Sequence, residues 1–260
     1  MTYQAIRSET RDGVATVTLN RPDVHNAMNE TMRRELTHVF DALATSEDVR
    51  CVVVTGAGEK AFSAGADIRE FVETGSPTQF RESRKRLDFR QAMDRCWQPI
   101  IAAIRGHCFG GGLELALACD IRIASEDSRL GLTEVDLAII PGFGGTQRLV
   151  KRVGLARARE LIYLGQPIHA EDALRIGLVA RVAVPERLVA EAQDLAEELA
   201  GKPPLALRQA KLATAVAADA DITTGCRYEI EAFAVTFASE DRVEGLRAFQ
   251  DKRTPAWKGR

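Results

Sequence analysis

The chain has 260 residues, with 35 Lys and Arg against 37 Asp and Glu, a formal net charge of −2 and 45% hydrophobic residues. These are ordinary globular proportions, in a chain long enough to bury a large core without disulfide or metal staples. The balanced charge excludes the strongly basic footprint of a nucleic-acid binder, and no apolar run approaches the roughly 20 residues that span a bilayer.

In chain order, Met1–Glu9 shows no basic stretch followed by an apolar run, so no secretory signal is expected. Val14–Leu19 is β-branched and follows Asp12-Gly13, which predicts the second arm of a hairpin. Asn29 opens a helical run to about Ala44, with Met32, Leu36, Val39, Phe40 and Leu43 on one face. Cys51–Gly56 is a continuous apolar run ending in glycine, the pattern of a strand covered on both faces. Ile100–Ile104 repeats it and ends at Gly106, while residues 77–97 between them alternate charged and apolar positions like an exposed helix. The recurrence of strand, loop and helix predicts crossover connections and a largely parallel sheet.

From Thr146 onward the pattern is mainly helical, with runs at Leu188–Leu199, Leu205–Ala217 and Ile222–Ala238 and one strand at Leu178–Val184. The expected class is α/β: one core with a helical C-terminal layer, without linker or repeat. Cys51, Cys96, Cys108, Cys119 and Cys226 each sit among apolar neighbours, so they read as small buried hydrophobes in a reducing, cytoplasmic compartment. His25, His38, His107 and His169 are scattered without ligand spacing, so no metal is expected.

Three glycine-marked loops carry the chemistry. In the first, Gly56–Ile68, the small residues 63–66 let backbone N–H groups approach a ligand, or else form an ordinary turn into a helix capped by Asp67. The second, Gly106-His-Cys-Phe-Gly-Gly-Gly-Leu-Glu114, runs directly into Leu115–Asp120. Three glycines at a helix start leave unpaired N–H groups backed by the positive end of the dipole. It lacks the Lys-Ser/Thr of a P-loop, which leaves a phosphate or a developing oxyanion as guest.

Glu114 lies in a Leu/Ala run that is apolar on almost every side. A buried carboxylate there is a poised acid or base; a first-turn glutamate that complements the helix dipole is the plainer reading. The third loop, Gly131–Leu149, adds Glu134 and a second glycine-rich helix start, with Asp136 either a third acid or a solvated loop residue. Two glutamates near two sets of backbone donors suit proton abstraction, or water addition, beside a carbonyl.

Phe62-Ser-Ala-Gly-Ala-Asp67, Gly106–Glu114 and Ile140-Pro-Gly-Phe-Gly-Gly-Thr-Gln-Arg-Leu149 resemble the signature of the crotonase (enoyl-CoA hydratase/isomerase) superfamily. Asn20-Arg21-Pro22 with Asn26–Asn29 resembles its N-terminal element, and Ala248–Arg253 its C-terminal one. The resemblance implies one crotonase domain over 1–260: a spiral of βαβ units to about 200, then a helical trimerisation region over about 201–260. It implies a homotrimer or dimer of trimers, and a CoA thioester whose carbonyl oxygen is held by the Ala66 and Gly111 amides. By the same likeness Val24, Ala27, Ala64, Asp67, Ile68, Pro141, Gly142 and Lys252 line the substrate and CoA site. No metal or redox cofactor is implied, since coenzyme A is part of the substrate.

Hydratases of this family carry glutamates at the positions of Glu114 and Glu134, which implies addition of water across a 2-enoyl-CoA. Dienoyl-CoA isomerases usually place Asp at position 114 and another at 142, where this chain has Glu114 and Gly142. A Δ3–Δ2 enoyl-CoA isomerase is the alternative, and a non-catalytic CoA-thioester or RNA-binding relative the alternative of another class. Leu137–Gly142 and Asp241–Leu246 look like the methylglutaconyl-CoA hydratase branch, whose RNA-binding member has a lysine-rich first helix. Here that helix has Arg33 and Arg34, no lysine, and acids that offset them, so neither nucleic acid nor membrane is expected as a partner. The tail Lys252–Lys258 reads either as a contact for CoA phosphates or as a frayed basic end. The basic cluster Arg81–Arg90 reads either as a contact for an acyl carboxylate or as a solvated helix face.

Overall fold

The computed structural model describes residues 3–71, 76–86 and 88–260. β1 (Ile6–Arg11) turns at Asp12-Gly13, both at positive φ, onto antiparallel β2 (Val14–Leu19), as the hairpin pattern predicts. In α1 (Glu30–Ala44) the Asn29 side chain accepts from Met32 N at the N-cap, and the five predicted apolar residues are all buried.

A single unit then recurs three times. A strand of the large sheet is followed within a few residues by a short strand of a second sheet, and then by a helical segment. β3 (Cys51–Gly56) leads to β4 (Ala61–Ser63) and a 3-10 turn at Ile68–Phe71; α2 (Pro77–Arg86) and α3 (Phe89–Arg95) complete the crossover. β5 (Ile100–Ile104) leads to β6 (His107–Phe109) and α4 (Gly111–Ala118). β7 (Ile121–Ser125) leads to β8 (Arg129–Gly131) and a 3-10 turn at Glu134–Leu137, followed by α5 (Gly145–Val153) and α6 (Leu155–Leu164). β9 (Ile168–His169), α7 (Ala170–Arg175) and β10 (Arg181–Ala183) precede four helices: α8 (Leu188–Ala200), α9 (Pro204–Ala217), α10 (Ile222–Phe237) and α11 (Glu240–Asp251).

The large sheet has the order β1-β2-β3-β5-β7-β10, parallel from β2 onward; the small one runs β4-β6-β8-β9, with only β9 antiparallel. Alternation along β3 and β5 serves two cores. Val52, Val54, Ile100, Ala102 and Ile104 face the main cluster, whereas Cys51, Val53, Ile101 and Ala103 pack against Leu188, Ala192 and Ala196 of α8. All eight residues of α4 are buried. Its C-terminal carbonyls are met by a buried cation: Arg122 Nη1 donates to Ala116 O and Cys119 O while its Nε donates to Leu178 O beyond α7, and burial lowers its pKa to about 10.

Several expectations need correction. Residues 77–97 form two helices, and the second is not exposed: Phe89, Ala92, Met93 and Cys96 make a buried stripe at helical spacing. The strand near 178–184 is limited to Arg181–Ala183, because Leu178 and Val179 turn back to Ala173 O. Four cysteines are buried, as expected, but Cys226 is exposed. Its helix, α10, buries only Ala232 and leaves an apolar face uncovered, so apolar neighbours in sequence do not bury that thiol. Within the basic cluster, Leu87 and the side chains of residues 83–86 lie outside the described residues.

Candidate active site

β4 and β6 are parallel neighbours, so the loop leaving one lies against the helix start leaving the other. Ser63 shapes the first loop: its hydroxyl donates to Asn26 O at 2.9 Å and accepts from Gly65 N at 3.2 Å. Gly65, at φ +99°, turns the chain; its carbonyl accepts from Met28 N, and Asp67 N donates to Met28 O. The Ala66 N–H between these bonds donates to no acceptor among the described residues. The Gly111 N–H, first in α4, likewise has no partner among them. The two amides are close neighbours: a Cβ on Gly111 would stand 3.4 Å from Ala66 N, and one on Gly65 3.3 Å from Gly111 N. With the positive end of α4 behind them, they suit an anionic oxygen.

One turn into α4, Glu114 is 1% exposed. Its Oε1 accepts from Phe143 N at 2.6 Å and Gly145 N at 2.7 Å, so the helix start of α5 supplies the partners that its buried charge requires. Glu134 opens the 3-10 turn after β8 and is 9% exposed. Its Oε1 lies 3.2 Å from where a Cβ on Gly110 would stand, and its Oε2 is buried without a hydrogen-bond partner among the described residues. Burial, and then the charge of Glu114, push the Glu134 carboxyl up to about 7. The two glutamates thus stand within electrostatic reach of each other in opposite circumstances, one accepting from two amides and the other desolvated.

That contrast has a stability consequence. The unfolded chain releases the Glu134 proton near the ordinary glutamate value of 4.5, whereas the folded chain holds it to about 7. Between these values the unfolded state binds fewer protons, so stability falls as pH rises, by about 3 kcal/mol at most. Glu134→Gln is therefore expected to be more stable than the parent at pH 8 and equally stable at pH 4, as read by thermal denaturation. An equal difference at both pH values would contradict a desolvated carboxyl.

The structure gathers most of the predicted contact residues around the first loop. Val24 ends a 3-10 turn, Ala27 O accepts from Arg21 Nη1 at 2.6 Å, Ala64 is exposed with its N–H on His25 O, and Ile68 is exposed beside Asp67. Arg69 and Arg21 together hold the Asp67 carboxyl well below the usual range. Pro141 packs near Gly145, and Gly142 faces open space. Lys252 caps α11 in a left-handed conformation, exposed, and no hydrogen bond or ion pair among the described residues joins it to these loops. Asp136 is exposed, in line with a solvated loop residue. Two of the four histidines meet: His25 lies edge-on to His107, which stacks on Phe109, while His38 Nδ1 lies 2.9 Å from the Tyr3 hydroxyl and His169 Nε2 lies 2.9 Å from Arg129 Nη1. Among the described residues no group of three or more His, Cys, Asp or Glu is placed to hold a metal, and no helix is long and apolar enough to cross a membrane.

Sequence reasoning did not find the partners of Glu114. The glycine-rich start of α5 was the available signal, but the residue facing it lies 29–31 positions away. The ion pair of Arg21 with Asp67 was also missed, although both residues stand in quoted motifs.

Residues 9–260 match the family described as Enoyl-CoA hydratase/isomerase. The chain belongs to that family. The short-chain-enoyl-CoA hydratase of Clostridium acetobutylicum is 42% identical over 250 residues, 94% of each chain. The crotonyl-CoA hydratase of Syntrophomonas wolfei is 39% identical over 257 residues, 97% of each. The crystal structure of an enoyl-CoA hydratase from Bacillus anthracis superposes with a TM-score of 0.93 at 42% identity, covering 99% of this chain and 100% of that one. As a member of the enoyl-CoA hydratase/isomerase family the chain is an enzyme of CoA thioesters, and its spiral of paired strands with C-terminal helices is the crotonase architecture.

Proposed function

We propose that the chain is a 2-enoyl-CoA hydratase, adding water across the double bond to give a 3-hydroxyacyl-CoA. The observation that carries this reading is the pair of buried glutamates in unlike surroundings beside two unpaired amides. The Ala66 and Gly111 N–H groups hold the thioester oxygen and stabilise the enolate that forms when water attacks Cβ. Glu114, its charge solvated by the Phe143 and Gly145 amides, takes the proton of that water. Glu134, its carboxyl pushed up to about 7, delivers a proton to Cα. Dehydration reverses these roles. The water oxygen bonds to Cβ as its proton passes to Glu114, the double-bond electrons move to the thioester oxygen as an enolate, and the Glu134 proton then bonds to Cα as the carbonyl reforms.

The oligomer is read as a trimer or dimer of trimers. Supporting this, Ile230, Phe233 and Phe237 of α10 and Leu246 and Phe249 of α11 are exposed apolar residues in one region of the chain.

A panel of crotonyl-CoA and longer or branched 2-enoyl-CoAs, followed by loss of the enoyl absorbance, tests the activity. Turnover with at least one member is expected. No turnover across the panel would refute hydration, and migration of a 3-enoyl double bond alone would make the enzyme an isomerase.

A further inference from the structure

Helix α3 carries two acids that each fix an arginine beside Gly144. Asp88, the α3 N-cap, accepts from Arg90 Nε at 2.7 Å and Nη2 at 2.6 Å; Asp94 accepts from Arg148 Nη2 at 2.8 Å. The bidentate pair locks the Arg90 guanidinium in one plane. Its Cζ stands 5.6 Å from the Phe143 ring centroid, and its Nη1 lies 3.0 Å from where a Cβ on Gly144 would be. Arg148 Nε lies 3.6 Å from the same point, and the Phe89 ring packs on Phe143 at 5.5 Å. Gly144, at φ +98°, links Phe143 and Gly145, the two residues whose amides bind Glu114 Oε1. The cover over this loop is thus a fixed cation, partly shielded at 23% side-chain exposure. An aliphatic side chain would fill the same space, but Asp88 would not hold it in one plane.

We propose that Arg90 is a positioning residue for Glu114. Held by Asp88, it bears on Phe143 and Gly144 and so fixes the two amides that orient and solvate the Glu114 carboxylate. The kinetic part of this inference rests on the hydratase reading above, with Glu114 as the base. Arg90 itself makes no hydrogen bond to Glu114 or to the oxyanion amides among the described residues; it acts through the main chain of residues 143–145.

The test uses Arg90→Gln, Arg90→Lys and Asp88→Asn in the full chain. It reads kcat and KM with crotonyl-CoA, and hydrogen exchange of the peptide 142–149 by mass spectrometry. Each variant is expected to lose about 10-fold in kcat with KM within about twofold, and to exchange this peptide about 10-fold faster, since small displacements of a reacting group cost rate rather than binding. Lysine is expected not to rescue, because an ammonium cannot reproduce the planar two-bond contact with Asp88. In a Glu114→Gln background, Arg90→Gln is expected to lower kcat no further. An equal loss in that background, or unchanged kcat and exchange in the single variants, would overturn the proposal. If the parent hydrates no enoyl-CoA, the hydratase reading fails, while the exchange measurement still decides whether Arg90 fixes the loop.

Discussion

Glu114→Gln is expected to lower kcat for hydration by about 10³-fold and to change KM by less than about threefold. Glutamine keeps the volume and an acceptor oxygen for the Phe143 and Gly145 amides, so the buried site remains satisfied while the base is lost. Glu134→Gln is expected to cost a similar factor for a different reason. It removes the proton that a desolvated carboxyl holds near neutrality, and with it the kinetic limb near pH 7. Because the two groups act on one transition state, the double variant is expected to fall little below the worse single variant. Steady-state kinetics on the three proteins checks this. Parent-like turnover in both single variants would exclude the proposed chemistry.

The second large effect is expected at Gly112, a residue without a functional atom of its own. A Cβ there would stand 2.4 Å from Ser63 O and 3.0 Å from Ser63 C, both main-chain atoms of the strand that leads to Ala66. The start of α4 and the first loop must then separate, and with them the two oxyanion donors. Gly112→Ala is expected to lower kcat/KM by about 10²–10³-fold, the cost of a lost oxyanion donor, and to destabilise the fold by about 1–3 kcal/mol through overpacking. Gly111→Ala is the control. Its nearest neighbour, at 2.8 Å, is Cε of Met28, the far end of a flexible side chain that can move aside. A milder loss of denaturation midpoint at 111 than at 112 is the expected order; the reverse would mean that the close approach of α4 to Ser63 does not constrain the packing here.

The legible parts of this protein were those that repeat over several residues. The α1 stripe, the apolar strands β3 and β5 and the Leu/Ala burial of Glu114 all follow from side-chain periodicity, and the structure has each of them. The small sheet was not legible, since three-residue strands such as Ala61–Ser63 and His107–Phe109 are too short to show a period. The segment 77–97 misled for a related reason. Its charges dominate the count, whereas Phe89, Ala92, Met93 and Cys96 alone decide which face turns inward. Within the site, loops and acids could be named from composition, but their pairing could not. That Glu114 meets Phe143 and Gly145, or that His25 meets His107, depends on how the parallel crossovers stack.

The donors at Ala66 and Gly111 are main-chain groups that follow adjacent parallel strands, β4 and β6. Their separation is therefore tied chiefly to the ladder spacing of a sheet, about 4.8 Å between strands, with the Ser63 hydroxyl fixing the loop that follows β4. The proposed proton-transfer groups, by contrast, are side chains projecting from α4 and from the turn after β8. The molecule thus divides its labour between a rigid part that tolerates no retuning and an exchangeable part that does. A designer seeking a new reaction on this scaffold would leave positions 63–66 and 110–112 alone. The acids at 114 and 134 are where the proposed chemistry can be rewritten without rebuilding the pair of amides.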